Sequence, residues 1–216
     1  NYNNNTINQL DMLQAPPVRT SGADSLTITF DLAHKDYPGS FDRLRVLASK
    51  DCGVTFTSLY SKSGPTLATA GNSVDDFTDP TQYEWRKETV GVSTGFVAGS
   101  NNIIIQLENR NDFGNNIFID NINIAPVFKR DLEIVSVSPD VICTSSITPV
   151  ATIRNRGTQA VTAYKVSYQI GTGTAVTTTV TGVNLAPGAT ANITLLAGSL
   201  AGGANTITVY ASEPTT

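Results

Sequence analysis

Hydrophobic and polar residues alternate over several short segments in the first part of the chain. Leu26, Ile28 and Phe30 are each followed by a polar residue. This period of two is the pattern of a strand with one buried face. It recurs in segments 44–48, 54–60, 83–92, 103–107 and 117–124. Because no helical period separates these segments, they predict a sandwich or jelly roll.

The segment 1–22 is rich in asparagine and then carries Pro16 and Pro17. We interpret it as an extended strand that leads into a sheet. We expect its few hydrophobic residues to anchor it, namely Leu10, Met12, Leu13 and Val18. The chain starts at Asn1 without a leader peptide, so we expect it to be part of a longer precursor.

The strand pattern stops at residues 125–130, where Pro126 ends pairing and Lys129-Arg130 precedes a new start. Beyond that point, short strand patterns are separated by turns at residues 155–158, 171–173 and 186–188. Their lengths and spacing resemble those of an immunoglobulin-like sandwich. We therefore predict an all-β chain: an N-terminal jelly-roll β-sandwich at 1–128 and a smaller immunoglobulin-like β-sandwich at 131–216.

Composition and net charge bear on which kinds of partner this chain could bind. The chain is 40% hydrophobic and 15% charged, with a formal net charge of -4. An acidic balance argues against nucleic acid or an anionic membrane as the partner. No segment approaches the roughly 18 apolar residues that span a bilayer, so we expect no membrane insertion.

The two cysteines, Cys52 and Cys143, lie far apart and have no metal-type spacing. Either they form a bridge or both are buried thiols, and the sequence leaves this choice open. His34 is the single histidine, and nothing near either cysteine supports a Cys–His catalytic pair. There is no zinc spacing, nucleophile elbow or phosphate loop, so we expect no catalysis by this chain.

The segment 49–56 matches the Asp-box pattern of a hairpin turn. Its positions are Ser49, Asp51, Gly53, Thr55 and Phe56. The aspartate can accept backbone N–H groups across the turn, and the glycine permits a positive φ. We expect the phenylalanine to pack into the core beneath. Such turns occur in many secreted β proteins away from the active centre, which indicates a structural role.

A loop rich in carboxylate and amide oxygens, residues 108–116, precedes the segment 117–124. These are the ligands that calcium prefers. We expect Asp120 to share a face with apolar neighbours, where a carboxylate needs a metal or backbone donors. Asp120, Glu108 and Asp112 are therefore the candidate calcium ligands, and a merely hydrogen-bonded Asp120 is the alternative. Possible co-ligands are Asp31, Asp75, Asp76 and Asp79.

Several aromatic residues fall in or near predicted loops: Tyr37, Phe77, Tyr83, Trp85 and Phe113. Two or more of them exposed together would make a platform for sugar stacking. We select Tyr37, Trp85 and Phe113 as candidate ligand-binding residues. The competing interpretation of Trp85 is packing in the core or at a sheet edge.

Segments 24–33, 42–46 and 49–56, and above all 114–122, resemble the jelly-roll modules of exported multidomain proteins of the Bacteroidetes. The last segment is similar to the final strand of gingipain-type cleaved adhesin modules and MAM-like domains. In some of those relatives the aspartate of this strand helps to hold a structural calcium, which implies the same for Asp120. The partner ligands usually come from an N-terminal loop that is missing or degenerate in this sequence. Segments 131–134, 149–157 and 164–168, with Cys143, resemble CARDB-like immunoglobulin modules.

The resemblance implies a secreted or cell-surface location and export by the type IX system. We expect the chain to be a non-catalytic accessory region that binds polysaccharide or a cell-surface protein through the jelly roll. One alternative is the non-catalytic C-terminal region of a secreted metallopeptidase. Another is an adhesin or structural spacer without a small ligand.

Overall fold

The computed structural model describes residues 7–139 and 144–215. The chain divides into two compact units, Asn1–Val127 and Phe128–Thr216. Almost every described element is a β-strand. The exceptions are a 3-10 turn at Gly64–Thr66 and a one-turn helix, α1, at Thr94–Val97. No helix in the described ranges is long and apolar enough to cross a membrane.

The first unit consists of two antiparallel sheets. In sequence order its strands are β1 Leu10–Gln14, β2 Val18–Arg19, β3 Ser25–His34, β4 Arg43–Ser49, β5 Thr57–Ser63, β6 Trp85–Val92, β7 Asn102–Arg110 and β8 Ile117–Val127. One sheet has the order β1-β7-β4-β5, with β2 also paired to β7, and the other has the order β6-β3-β8. We call them the β7 sheet and the β3 sheet.

The predicted alternation places one face of each sheet in a shared core. Fully buried side chains come from both sheets, among them Phe30, Leu32, Leu44, Val46 and Ile105. Burying a side chain of this size stabilises the fold by about 1.5–3 kcal/mol. The prediction of an all-β sandwich fold is confirmed.

Strand β1 differs from its expected role. It pairs with β7 along its whole length, but Leu10, Met12 and Leu13 are 43%, 59% and 56% exposed. Backbone hydrogen bonds to an edge position, rather than buried side chains, therefore hold this strand. Of the four expected anchors, Val18 packs against the core.

Strand β8 contains a bulge that changes the predicted face of Asp120. The register with β3 shifts between Thr29 and Asp31, and Asn121 adopts a φ of 52°. The extra residue turns Asp120 to the exposed side, opposite Asp31. The expectation that Asp120 lies among apolar neighbours is wrong, because a strict period of two ignores this bulge.

The second unit is also built from antiparallel sheets. Its strands are β9 Leu132–Ser138, β10 Ser146–Ile147, β11 Val150–Asn155, β12 Val161–Ile170, β13 Val176–Leu185, β14 Thr190–Thr194, β15 Gly198–Ser199 and β16 Ile207–Thr215. The sheets have the orders β14-β11-β9 and β13-β12-β16, with β10 paired to β15. Ile153, Tyr164, Val166 and Tyr168 are the centre of its core.

A buried asparagine organises the turn after β11. The Asn155 amide donates to the carbonyl oxygens of Gln159 at 2.7 Å and Leu185 at 2.8 Å, and its own oxygen accepts the Gly157 N–H at 2.9 Å. A Cβ on Gly157 would lie 2.4 Å from the Lys129 carbonyl oxygen. The turn therefore needs both a fully bonded asparagine and a glycine.

Candidate functional site

The segment 49–56 folds as the predicted hairpin turn. The Ser49 hydroxyl donates to Asp51 at 2.7 Å and accepts the Gly53 N–H at 2.8 Å. Asp51 also accepts the Thr55 N–H at 2.9 Å, and Cys52 and Gly53 adopt φ angles of 60° and 87°. Hydrogen bonds from Thr55 lower the pKa of Asp51 to about 2. Every polar group named here stabilises the turn itself.

Phe56 does not enter the core as expected. It is half-buried and lies outside the hydrophobic cluster of the first unit. A Cβ built on Gly53 would be 3.9 Å from the Phe56 ring. Phe56 therefore packs beneath its own turn.

The oxygen-rich loop 111–116 is held by a carboxylate from another loop. Asp42, which is 4% exposed, accepts the Asp112 N–H at 2.6 Å and the Gly114 N–H at 3.3 Å. A Cβ on Gly114 would lie 1.9 Å from Asp42 Oδ2. The carboxylate thus fits because residue 114 has no side chain.

The two asparagines at the end of this loop bind the segment 73–77. The Asn115 side-chain oxygen accepts the Phe77 N–H at 3.0 Å, and its amide donates to the carbonyl oxygens of Ser73 and Asp75. Asn116 donates to the Phe77 carbonyl at 3.1 Å. The asparagine side chains that suggested calcium ligands therefore join loops to each other.

The three predicted calcium ligands are not brought together. Glu108 on the β7 sheet accepts a hydrogen bond from Arg45 Nε at 2.8 Å. Asp112 accepts the Phe41 N–H at 3.0 Å. Asp120 lies on the β3 sheet, and like Glu108 it points away from the shared core. Two outward side chains on different sheets cannot share an ion, so this ligand set is wrong.

Asp120 does meet one of the possible co-ligands. Asp31 stands opposite it, and the Asn121 amide donates to Asp31 at 2.8 Å while the Asn121 N–H donates to Asp120 at 2.7 Å. Calcium takes about 6–8 oxygen ligands, and this trio supplies only part of that number. Asp75, Asp76 and Asp79 are exposed in the loop after Ser73. No group of three or more acidic, His or Cys side chains suited to a metal occurs in the described ranges.

Two of the three predicted ligand-binding aromatics form a pair. The rings of Tyr37 and Phe113 meet edge to face with centroids 6.2 Å apart. Phe113 is 42% exposed, and Phe41, on the neighbouring loop, is 54% exposed. We call Tyr37, Phe41 and Phe113 the aromatic patch. Sequence reasoning missed Phe41, because its proximity to Phe113 depends on how two loops fold together.

Hydrogen bonds between the loops fix the position of the aromatic patch. The Ser40 hydroxyl donates to the Phe113 carbonyl at 2.9 Å, and the Phe41 N–H donates to Asp112. Ser40 is 8% exposed. The rings are therefore presented from a bonded scaffold rather than from free loops.

Trp85, Phe77 and Tyr83 do not join this pair. Trp85 is half-buried on the edge strand β6, opposite Ala33. Phe77 is 4% exposed and packs edge to face on Phe118, and Tyr83 is 87% exposed. The edge-packing interpretation therefore describes Trp85 better than a sugar platform.

The β7 sheet also carries three arginines on its outer face that sequence reasoning did not select: Arg43, Arg45 and Arg110. Arg43 stands opposite Arg110, and Arg45 stands opposite Glu108. We call these four residues the arginine cluster. The available signal was Arg43 and Arg45 two positions apart on one predicted strand, which places them on the same face.

A second buried carboxylate lies where the two sheets meet. Glu88 on β6 accepts hydrogen bonds from Lys62 on β5 at 2.8 and 2.9 Å, and from Arg86 Nε at 2.8 Å. It is 6% exposed. Burial raises the pKa of Glu88, but the bonds from Lys62 and Arg86 outweigh burial and lower it overall. This ion-pair group closes one edge of the sandwich.

A cavity of about 320 Å³ opens between the two sheets at the β1 end. It is lined by Asp11, Leu13, Leu44, Leu107, Asn109, Asn116, Ile117 and Ile119. The side-chain oxygen of Asn109 is buried there and has no hydrogen-bond partner within the described ranges. The lining is mixed, with apolar walls and a few polar groups, as in small-ligand pockets.

The histidine and the described cysteine have separate environments. His34 is 1% exposed, and its Nδ1 lies 3.1 Å from the Asn116 carbonyl oxygen. Cys52 is exposed at the tip of the Asp-box turn and forms no disulfide with a described residue, so the alternative of two buried thiols is wrong. Cys143 lies outside the described residues, so the bridge prediction stays untested.

No family model matches this chain, and no curated protein matches it. Among solved structures, it is similar to a glycoside hydrolase domain of Endo-D from Streptococcus pneumoniae R6. The two share 14% sequence identity and a TM-score of 0.23, over 87% of this chain and 28% of that one. This chain therefore spans little more than a quarter of the protein it matches.

Proposed function

We propose that this chain is a non-catalytic, polysaccharide-binding region of a larger exported protein. The first unit would bind the glycan at the aromatic patch, and the second unit would act as a spacer. The observation that carries the proposal is the Tyr37–Phe113 ring pair, in which Phe113 is 42% exposed, together with Phe41, which is 54% exposed on the adjoining loop. Exposed aromatic rings give sugar rings an apolar surface on which to stack.

The scaffold beneath the rings supports this function. Asp42 and Ser40 hold the backbone of residues 112–114 from the facing loop. A surface that is already ordered loses little conformational entropy when a ligand binds.

The experiment is binding of the 216-residue chain to a panel of neutral and acidic polysaccharides. The test variant is Phe113→Asn, because Phe113 has a φ of 61° and asparagine tolerates that conformation. The control is Tyr210→Thr on β16 of the second unit, since Tyr210 is also 42% exposed. Thr keeps the strand preference while the ring is removed.

We expect binding to at least one glycan class, with a loss of about tenfold or more in Phe113→Asn. Tyr210→Thr should bind as the unchanged chain does. Binding that survives in Phe113→Asn but fails in Tyr210→Thr would move the site to the second unit. Absence of binding to every glycan would overturn the proposal and favour a structural spacer.

A further inference from the structure

The arginine cluster carries more positive charge than its own carboxylate can neutralise. Glu108 is 4% exposed and accepts hydrogen bonds from two nitrogens of Arg45, Nε and Nη2. The Arg43 Nη2 atom lies 3.6 Å from Glu108 Oε1. Arg110 stands directly opposite Arg43 in the β4–β7 register. Like charges directly opposite on neighbouring strands are destabilising. Arg43 and Arg45 therefore share one carboxylate, and Arg110 stands beside Arg43 without an ion pair in the described residues.

Two donors in the cluster have no acceptor. The Nε atoms of Arg43 and Arg110 are buried and without a hydrogen-bond partner in the described ranges. Burial lowers the pKa of Arg43, and Arg45 and Arg110 lower it further, while Glu108 acts against them. Guanidinium donors left unpaired beside like charges are costly. The Arg43 side chain is 27% exposed, so an anion that contacts its outer nitrogens would offset the repulsion between the guanidinium groups.

The two acidic residues nearest to Arg43 and Arg110 in the sequence, Asp42 and Asp112, do not accept hydrogen bonds from these arginines in the described residues. Asp42 is bonded to the N–H groups of residues 112 and 114, and Asp112 accepts the Phe41 N–H. Within the described residues, neither carboxylate forms an ion pair with Arg43 or Arg110 either. The Nε donors of Arg43 and Arg110 therefore stay without an acceptor.

The cluster is continuous with the aromatic patch. Arg110 ends β7 immediately before the loop that carries Phe113, and its Nη2 donates to the Phe41 carbonyl at 3.4 Å. Arg43 follows Phe41 by two residues at the start of β4. A ligand that stacks on Phe41 or Phe113 would therefore lie beside the guanidinium groups.

We infer that Arg43 and Arg110, oriented beside the Arg45–Glu108 pair, form a carboxylate-binding subsite, and that the bound polysaccharide contains uronic acids. This inference rests on the proposed glycan-binding function. The guanidinium fork matches the planar carboxylate geometry and can bind it through two parallel hydrogen bonds. A uronate supplies both required parts: a ring to stack and a carboxylate attached to it.

The test compares tetragalacturonate with its fully methyl-esterified form, which has the same sugar rings without charge. We expect the acid to bind the 216-residue chain about tenfold or more tightly. Arg43→Gln and Arg110→Gln should each lower affinity for the acid by about tenfold and change affinity for the ester by less than about twofold. Phe113→Asn should weaken both ligands.

The matched control is Arg154→Gln, which removes the same charge from β11 of the second unit. It should bind the acid as the unchanged chain does. An equal loss in Arg154→Gln would show unspecific charge attraction and overturn the inference. A second readout needs no variant: the Nε–H signals of Arg43 and Arg110 should shift in NMR spectra when tetragalacturonate is added.

Equal affinity for the acid and its ester, with Nε–H signals unmoved, would overturn the uronate inference and leave the proposed function standing. Failure of the chain to bind any glycan, acidic or neutral, would overturn both. A glycan that binds through Phe113 but is indifferent to Arg43 and Arg110 would restrict the site to the aromatic patch.

Discussion

The two units differ in whether their ion pairs are buried or exposed. In the first, Glu88 and Glu108 are 6% and 4% exposed, and each is surrounded by basic side chains. In the second, the ion pairs Arg156–Glu133 and Lys165–Glu213 have side chains at least 37% exposed. Buried charges need partners and have consequences for stability, whereas exposed pairs contribute little.

In the second unit, uncharged polar side chains rather than buried ion pairs hold the structure together. Its core contains Tyr164 and Tyr168, each 1% exposed, and its turn after β11 is built on Asn155. The Tyr168 hydroxyl donates to the Leu196 carbonyl at 2.9 Å. The buried ion pairs and the aromatic patch both lie in the first unit, which is why we propose binding there.

Removal of one carboxylate from each unit should have very different effects. Glu88→Ala should lower the free energy of unfolding by about 2–4 kcal/mol, because it leaves Lys62 and Arg86 clustered at a sheet edge. We place it below the range for fully buried pairs since the partner side chains are 32% and 37% exposed. Glu133→Ala should cost about 0–1 kcal/mol. Chemical denaturation of both variants measures the two values, and equal losses would contradict the comparison.

A glycine substitution tests the loop scaffold. Gly114→Ala should destabilise by about 1–3 kcal/mol, because its Cβ would overlap Asp42 and force the loop to move. Gly91→Ala on β6 is the control, since a Cβ there meets nothing within 4 Å. Thermal unfolding should give a lower midpoint for Gly114→Ala than for Gly91→Ala. A neutral Gly114→Ala would mean that Asp42 does not hold the loop.

The pH dependence of stability tests the burial of His34. Burial lowers the pKa of His34 below 6.5, although the bond to the Asn116 carbonyl and the charges of Asp42 and Asp36 act in the opposite direction. The unfolded chain therefore binds the proton first as pH falls. The free energy of unfolding should decrease as pH drops below about 6.5 and down through the folded pKa.

His34→Gln supplies the control for that measurement. Its amide can still donate to the Asn116 carbonyl, but it does not titrate. The variant should lose the part of the slope that lies just below pH 6.5. An unchanged slope would assign the pH dependence to other groups.

Calcium binding tests the three oxygen-bearing residues on the β3 sheet. Asp31, Asp120 and Asn121 supply part of a calcium shell on the β3 sheet. If calcium binds there, millimolar calcium should raise the thermal midpoint relative to EDTA, by roughly 2.7 kcal/mol of stabilisation at 100 times the dissociation constant. Asp120→Asn should abolish the shift. Equal midpoints in both solutions, with no metal in the sample, would leave Asp120 as a hydrogen-bonded surface carboxylate.

Strand positions could be predicted because alternation is local. The segments 26–32, 44–48 and 103–107 each fall within an observed strand. The turn at Asp51 was predictable for the same reason, since its donors and acceptors lie within a few residues. The jelly-roll and immunoglobulin-like topologies stay predictions.

The positions of the site residues could not be predicted, because they depend on the register between strands that are far apart in the sequence. One extra residue near Asn121 turns Asp120 to the surface. Arg43 faces Arg110 only because β4 pairs with β7 in one register. Phe41 meets the Phe113 loop through hydrogen bonds made by Ser40 and Asp112. Candidate ligands chosen by composition, such as Glu108, were therefore misassigned.

The most direct test of glycan binding in the first unit is NMR mapping with the uniformly 15N-labelled 216-residue chain. An oligosaccharide identified on the panel would be added stepwise while all backbone amides are followed. We expect shifts to concentrate at residues 37–43 and 110–114, with β11–β16 unchanged. Shifts concentrated in the second unit, or none from any oligosaccharide, would contradict the assignment of binding to the aromatic patch.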